Sequence, residues 1–173
     1  VSYFYFDFND TDKQSSKNAI RSLLLQFAVQ IDGVFKNLEQ LYQKCGNGLQ
    51  QPTEDAIRSL FLDTMAGTCE KYIVLDALDE CTDRDKLLTF LHELIGSKPP
   101  NTHLLATSRR EKDIEDELRL VVDQSINIQS TVVDADIRIY IEHRMSTDPK
   151  LKKWSDPVRN EIVDALMGKA RGM

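Results

Sequence analysis

The sequence predicts an α/β fold: a parallel sheet covered by helices on both faces, followed by the start of a helical subdomain. Three observations predict it. Four apolar runs of strand length, at residues 3–8, 72–75, 103–107 and 125–129, alternate with stretches of helical periodicity, as βαβ units require. The first two runs are apolar at consecutive rather than alternate positions, the mark of strands buried on both faces. After Gln129 the periodicity is helical only. The division is therefore a sheet-bearing core over residues 1–130 and the beginning of a helical subdomain over 131–173.

Each element follows from its residues. Five of the thirteen aromatics lie in Tyr3-Phe4-Tyr5-Phe6-Asp7-Phe8, a first strand that ends at Asn9-Asp10. Ser16 is placed to cap a helix whose apolar positions Ile20, Leu23, Leu24, Phe27, Ala28 and Ile31 recur at steps of three and four until Gly33. Residues 45–52 read as a loop from Gly46, Gly48 and Pro52, and Thr53 caps a helix carrying Ile57, Leu60, Phe61 and Met65. Tyr72-Ile73-Val74-Leu75 is the second strand. A helix from about Asp83 to Ile95 closes at Gly96 and Pro99-Pro100. The third strand, His103 to Thr107, precedes a charged helix from about Glu111 to Leu120, and the fourth runs from Ser125 to Gln129. Asp134 opens a helix with Ile137, Tyr140, Ile141 and Met145 on one face. Asp156-Pro157 opens another with Val158, Ile162 and Leu166.

Composition narrows the partners. Acidic residues outnumber basic ones 28 to 22, and no stretch gathers the cations that a nucleic-acid backbone demands, so no nucleic acid is expected. No apolar run approaches the roughly 20 residues of a membrane span, and no signal-peptide pattern opens the chain. Cys45, Cys69 and Cys81 are too few and too scattered for a disulfide framework, and they suit reduced thiols in the cytoplasm. His92, His103 and His143 lack ligand spacing for a metal. Cys81 reads as a small buried hydrophobe rather than a nucleophile, since no general base is suggested beside it.

In open α/β sheets the chemistry gathers at the carboxyl ends of the strands. The second strand ends in Asp76-Ala77-Leu78-Asp79-Glu80, which places three carboxylates at a strand-to-helix turn. Such groups suit a hydrated Mg²⁺ and can take a proton from an attacking water. The plainer reading is that acids favour the start of the following helix. The third strand ends in Thr107-Ser108-Arg109-Arg110, a cation with two hydroxyl donors within reach of a phosphate on the neighbouring strand. Its plainer reading is a surface ion pair of Arg109 with Glu111 or Asp113.

The segments YFYFDFNDTDKQSS, YIVLDALDECTDRDKLL, HLLATSRREKDIED and VDADIRIYIEHRM resemble the NACHT-type NTPase domain of fungal STAND proteins. The likeness is to the group with a nephrocystin-like N-terminal domain, often followed by ankyrin or WD repeats. The resemblance implies a three-layer parallel sheet of the P-loop NTPase type. It implies ATP and Mg²⁺ as ligands of the parent protein, slow hydrolysis, self-oligomerisation through the NTPase domain and signalling. It matches Asp76 to the Walker B carboxylate that holds the metal, with Ala77 as the small residue after it. Asp79 and Glu80 match the additional acidic pair, Glu80 being favoured to polarise the water. Arg109 matches the sensor 1 arginine, with Ser108 beside it.

One departure is large. The phosphate-cradling motif G-x-x-x-x-G-K-[ST] is missing: Gly168-Lys169 is followed by Ala170 and has Val163 where the first glycine belongs, and Gly46-Asn47-Gly48 has Gln51 in place of a third glycine. The resemblance places the missing P-loop strand upstream of Val1 in sequence and between residues 103–107 and 125–129 in the sheet. The expectation is half an active site, with neither ATP nor Mg²⁺ bound by the isolated chain. The competing expectation is a nucleotide-free interaction scaffold that has lost its P-loop. An aspartate-nucleophile phosphatase fits less well, because it needs acids two apart and Asp76 and Asp79 are three apart.

Overall fold

The computed structural model describes residues 1–127 and 131–170, apart from the side chains of 131–134 and 169–170. The chain forms two compact units, Val1–Asp123 and Gln124–Met173. In the first, β1 (Ser2–Tyr5), β2 (Lys71–Asp76) and β3 (Thr102–Ala106) form a three-stranded sheet in the order β1-β2-β3. Both pairings are parallel, with Tyr3 opposite Val74 and Val74 opposite Leu105. The helices are α1 (Ser16–Gln30), α2 (Val34–Lys44), α3 (Glu54–Met65), α4 (Arg84–Gly96) and α5 (Lys112–Leu118). The second unit pairs α6 (Thr131–Thr147) with α7 (Asp156–Ala170). The fold is thus α/β, with a small parallel sheet and seven helices among the described residues.

The core lies on one face of the sheet. Ile73, Leu75, Phe6 and the partly buried Phe4, Leu104 and Ala106 pack against Leu23, Leu24 and Phe27 of α1, Phe61 of α3 and Leu87 and Leu91 of α4. Phe27, Phe61 and Phe90 meet edge to face at centroid distances of 6.1 and 5.2 Å, so α1, α3 and α4 each supply one ring to a continuous aromatic contact. Thr53 caps α3 as expected, its Oγ1 accepting from Ala56 N at 3.2 Å. Lys71 is fully buried and donates from Nζ to the Gly67 and Cys69 carbonyls at 2.6 and 2.7 Å. Its ammonium sits just past the C-terminal end of α3, where the helix dipole favours a cation.

The opposite face differs from expectation. Tyr3, Tyr5, Tyr72 and Leu105 are 51%, 52%, 46% and 60% exposed, so the described residues of this unit leave that face open to solvent. Consecutive apolar residues mark a strand as suited to burial on both sides, but they do not supply the second layer. The first strand is also shorter than the aromatic run: it ends at Tyr5, with the Phe6 N–H still donating to Asp76 O at 3.0 Å before the chain leaves the sheet. The fourth strand is not found: residues 125–127 are not extended into a ladder, and 128 and 129 lie outside the described residues. The helix α2 has no counterpart in the sequence reading, although Val34, Leu38 and Leu41 recur at helical spacing and pack on the core. In the second unit, Met145, Val163 and Met167 form the small core, whereas Tyr140 and Leu166 are exposed.

The two sheet edges are treated differently. On β1, Gln26 accepts from Tyr3 N at 3.0 Å and donates to Tyr3 O at 2.8 Å; Gln30 does the same for Val1 N and O at 2.8 and 2.9 Å. Two side-chain amides from one face of α1 therefore stand in for a neighbouring strand and satisfy backbone groups that would otherwise pair with another chain. On β3 the backbone groups that point away from β2 have no such partner among the described residues. Gln26→Ala is expected to lower stability by about 1 kcal/mol and to increase self-association. Thermal unfolding and light scattering check both effects; a variant as stable and as monomeric as the parent chain counts against the clasp.

Candidate functional site

Parallel pairing brings the exits of β1, β2 and β3 to one rim, and the residues singled out from the sequence meet there. Asp76 closes β2, and its Oδ1 accepts a hydrogen bond from the Thr107 hydroxyl at the exit of β3. Thr107 is the knot of this rim. Its N–H donates to Leu75 O at 2.9 Å, its carbonyl accepts from Leu78 N at 3.0 Å, and its Oγ1 accepts from Ala77 N at 3.1 Å. Ala77 is left-handed, with φ 58° and ψ 53°. That conformation costs an L-residue roughly 1–2 kcal/mol, and it turns the chain sharply enough for Leu78–Glu80 to form a single 3₁₀ turn. A β-branched side chain at this position would meet the left-handed backbone at a still higher cost.

The two following acids are held apart. Asp79 is nearly enclosed, its side chain 8% exposed: Oδ1 accepts from Arg109 N at 2.9 Å and Ser108 Oγ at 3.3 Å, and Oδ2 lies 3.6 Å from Arg109 Nε. Glu80 turns the other way, and its Oε2 accepts from Phe8 N at 2.8 Å in the loop after β1. Arg109 stays 66% exposed at its side chain. The surface ion pairs considered for Arg109 belong to another residue, since Arg84 reaches Glu111 at 3.9 Å and Asp113 at 3.3 Å. Asp79, Glu80 and Arg109 border an open cleft of about 550 Å³ whose walls also include Phe8, Gln14 and Glu111. Among the described residues no three carboxylate, thiol or imidazole groups converge at metal-ligand distance.

Asp83 and Gln14 carry the site in a way that sequence reasoning missed. Asp83 accepts from Ser16 N at 2.8 Å and Ser16 Oγ at 2.7 Å, and from the Cys81 thiol at 3.3 Å. Ser16 is thus the first residue of α1, capped from α4's own N-cap position, and the side chain of Ser15 caps nothing. Gln14 O accepts from both Thr82 N at 2.9 Å and Thr82 Oγ1 at 3.1 Å, while Gln14 Nε2 donates to Phe8 O at 2.6 Å. The loop after β1 and the turn after β2 are stapled into one piece. Serine at the start of a helix gave the only signal of this, since its partner lies 67 residues away.

Burial, aided by the bond to Asp83, pushes the Cys81 thiol up to about 12, so it stays a neutral, inert packing group. Burial also acts to raise the Asp83 carboxyl, but the two Ser16 bonds and the Cys81 bond outweigh it and hold the group below the usual carboxylate range.

Residues 1–109 match the family model described as Nephrocystin 3, N-terminal. The chain belongs to the nephrocystin 3 N-terminal family. The family match takes in all three strands and ends at Arg109, so the whole rim from Phe8 to Asp76, Asp79, Glu80, Ser108 and Arg109 falls within it. No match was found among curated proteins or among solved structures.

Because the folded pKa of Asp83 lies below its unfolded value of about 3.9, the stabilisation it gives is complete above that value and is lost as pH falls through the folded one. Asp83→Asn is expected to cost about 1–2 kcal/mol at neutral pH and to flatten the loss of stability below about pH 4. Urea unfolding across that range reads both effects, and an acid limb as steep as that of the parent chain would exclude Asp83 as its source.

Proposed function

We propose that this chain supplies the Walker B and sensor half of a nucleoside triphosphatase of the NACHT-type STAND class. In the parent protein that domain binds ATP with Mg²⁺, hydrolyses it slowly and thereby switches self-association and signalling in the cytoplasm, with a repeat domain downstream. The observation that carries the reading is the bridge across two neighbouring strand exits: Asp76 to Thr107 and Asp79 to Ser108 and Arg109, beside a strand edge that has no partner among the described residues. Of these groups Asp79 and Arg109, together with Glu80, border a cleft of about 550 Å³, large enough for the phosphate end of a nucleotide.

The donor set can be tested against Mg²⁺ directly. Asp76 offers one carboxylate, of which Oδ1 already accepts from Thr107, and among the described residues it belongs to no group of three or more metal-ligating side chains. That fits a cation which keeps several waters and takes its remaining ligands from phosphate oxygens. Asp76 would hold the ion through Oδ2, and the bound ion would neutralise charge on the phosphates. The remaining work falls to the chain's own groups. Asp79 fixes the backbone and guanidinium of Arg109, so that the exposed cation faces the cleft for a phosphate oxygen. Glu80, anchored by one oxygen only, retains the other to accept the proton of an attacking water. Of the two acids, Glu80 is the better base because Asp79 is enclosed and already accepts three contacts.

The phosphate-cradling amides and lysine are not in this sequence, so the 173-residue chain alone is expected to bind no Mg·ATP with micromolar affinity, which needs about 8 kcal/mol. Calorimetry checks this, and micromolar Mg²⁺-dependent binding would overturn the division into halves. In a chain extended upstream to include G-x-x-x-x-G-K-[ST], Glu80→Gln is expected to retain ATP binding and to slow hydrolysis by about 10²–10⁴-fold. If Asp79→Asn stops hydrolysis while Glu80→Gln leaves it untouched, the roles of the two acids are reversed. Failure of every extended chain to bind nucleotide would favour the interaction scaffold.

A further inference from the structure

The acid assigned to the water is held by the N–H of Phe8, and the carbonyl on the other side of the Phe8 Cα is held in turn. Glu80 Oε2 accepts from Phe8 N at 2.8 Å, and no hydrogen bond reaches Oε1 among the described residues. The peptide carbonyl of Phe8 is gripped from behind by Gln14 Nε2 at 2.6 Å. Gln14 is half-buried, and its own carbonyl is fixed by two donors from Thr82, its N–H and its hydroxyl, two residues beyond Glu80. The chain of contacts therefore closes on itself: Glu80 to Phe8, Phe8 to Gln14, Gln14 to Thr82, and back along the backbone to Glu80. Phe8, Gln14, Glu80 and Thr82 all border the same cleft.

We infer that Gln14 is a positioning residue for Glu80: its side-chain amide fixes the Phe8–Asn9 peptide and, through the Phe8 Cα, the adjoining Asp7–Phe8 peptide, whose N–H anchors one carboxylate oxygen and leaves the other unbonded beside the cleft. The chemistry requires a donor at residue 14, because only a donor can hold the Phe8 carbonyl, and a hydrocarbon or a carboxylate there cannot. It also explains why Glu80 points away from Asp79. Without the Phe8 N–H, a flexible side chain one residue from Asp79 has no fixed direction, and a misplaced base costs rate rather than binding. The inference rests on the reading of Glu80 as the base, but the contact itself exists without nucleotide and can be measured alone.

The test is amide hydrogen exchange, read by NMR on the ¹⁵N-labelled 173-residue chain. Glu80→Gln removes the acceptor charge and serves as the reference for a weakened anchor. Gln14→Glu keeps the size of the side chain and removes its donor; Gln14→Ala removes the side chain altogether. Both keep the Gln14 backbone carbonyl that Thr82 binds. Exchange at Phe8 N–H is expected to quicken about tenfold in each of the three variants, although residue 14 does not touch that amide. The amides of Ala19 and Thr82, which donate to Ser15 O and Gln14 O, are expected to stay within twofold of the parent chain. Unchanged exchange at Phe8 in both Gln14 variants overturns the inference. So does a parallel rise at Ala19 and Thr82, which would mean that Gln14 only keeps the loop folded. In the extended, nucleotide-binding chain, Gln14→Glu should lower kcat with little change in KM. If that chain hydrolyses nothing while the exchange results hold, the nucleotide reading fails and the positioning contact stands.

Discussion

Three strands running the same way put three chain exits on one rim, and everything the rim can do depends on that constraint. Parallel pairing cannot be made by a tight hairpin, so each strand must be followed by a helix that carries the chain back. Helix starts and strand ends therefore crowd together. Here the crowding is resolved by carboxylates: Asp79 turns to the exit of β3, Glu80 to the exit of β1, and Asp83 to the first turn of α1. Three acids within five residues of one turn each fasten a different neighbour. The left-handed Ala77 makes this possible, since it reverses the chain soon enough for the short 3₁₀ turn to face both sides.

Three of the four expected strands were legible from the sequence, because apolar runs of four to six residues leave few alternatives and the strand ends carried their chemistry with them, whereas the strand expected at 125–129 is not found among the described residues. Asp76, Asp79, Glu80, Ser108 and Arg109 stand out in the sequence because they end or directly follow those strands. What could not be read were bonds between a side chain and a distant backbone group. Glu80 and Phe8 are 72 residues apart, and Ser16 and Asp83 are 67 apart, with no residue type that announces the pairing. Nothing about Gln14 in the sequence announces that its amide grips the Phe8 carbonyl six residues back. The open face of the sheet was missed for a different reason. Tyr3, Tyr5 and Tyr72 look the same in sequence whether or not a second layer covers them. α2 follows directly on the left-handed Gly33, and only Val34, Leu38 and Leu41 mark its apolar face, a sparse pattern beside that of α1.

The site residues divide by how much freedom they keep. Asp79 and Asp83 are committed to the scaffold, and changing them would be felt first in stability. Arg109 and Glu80 are tethered at one end and free at the other, the condition under which a side chain can meet a ligand without unfolding the loop that carries it. The buried, neutral Cys81 belongs with the first group despite its place beside the acids.

The glutamine clasp on β1 has a consequence for assembly. A sheet with two bare margins can polymerise without limit, each added copy offering a fresh margin to the next. With Tyr3 and Val1 already engaged by Gln26 and Gln30, this sheet is a terminator on one side. Any backbone-to-backbone joining at β3 ends after a single addition, because what the newcomer leaves outward is another clasped margin. Fibril growth along the sheet is closed off by two side chains of one helix.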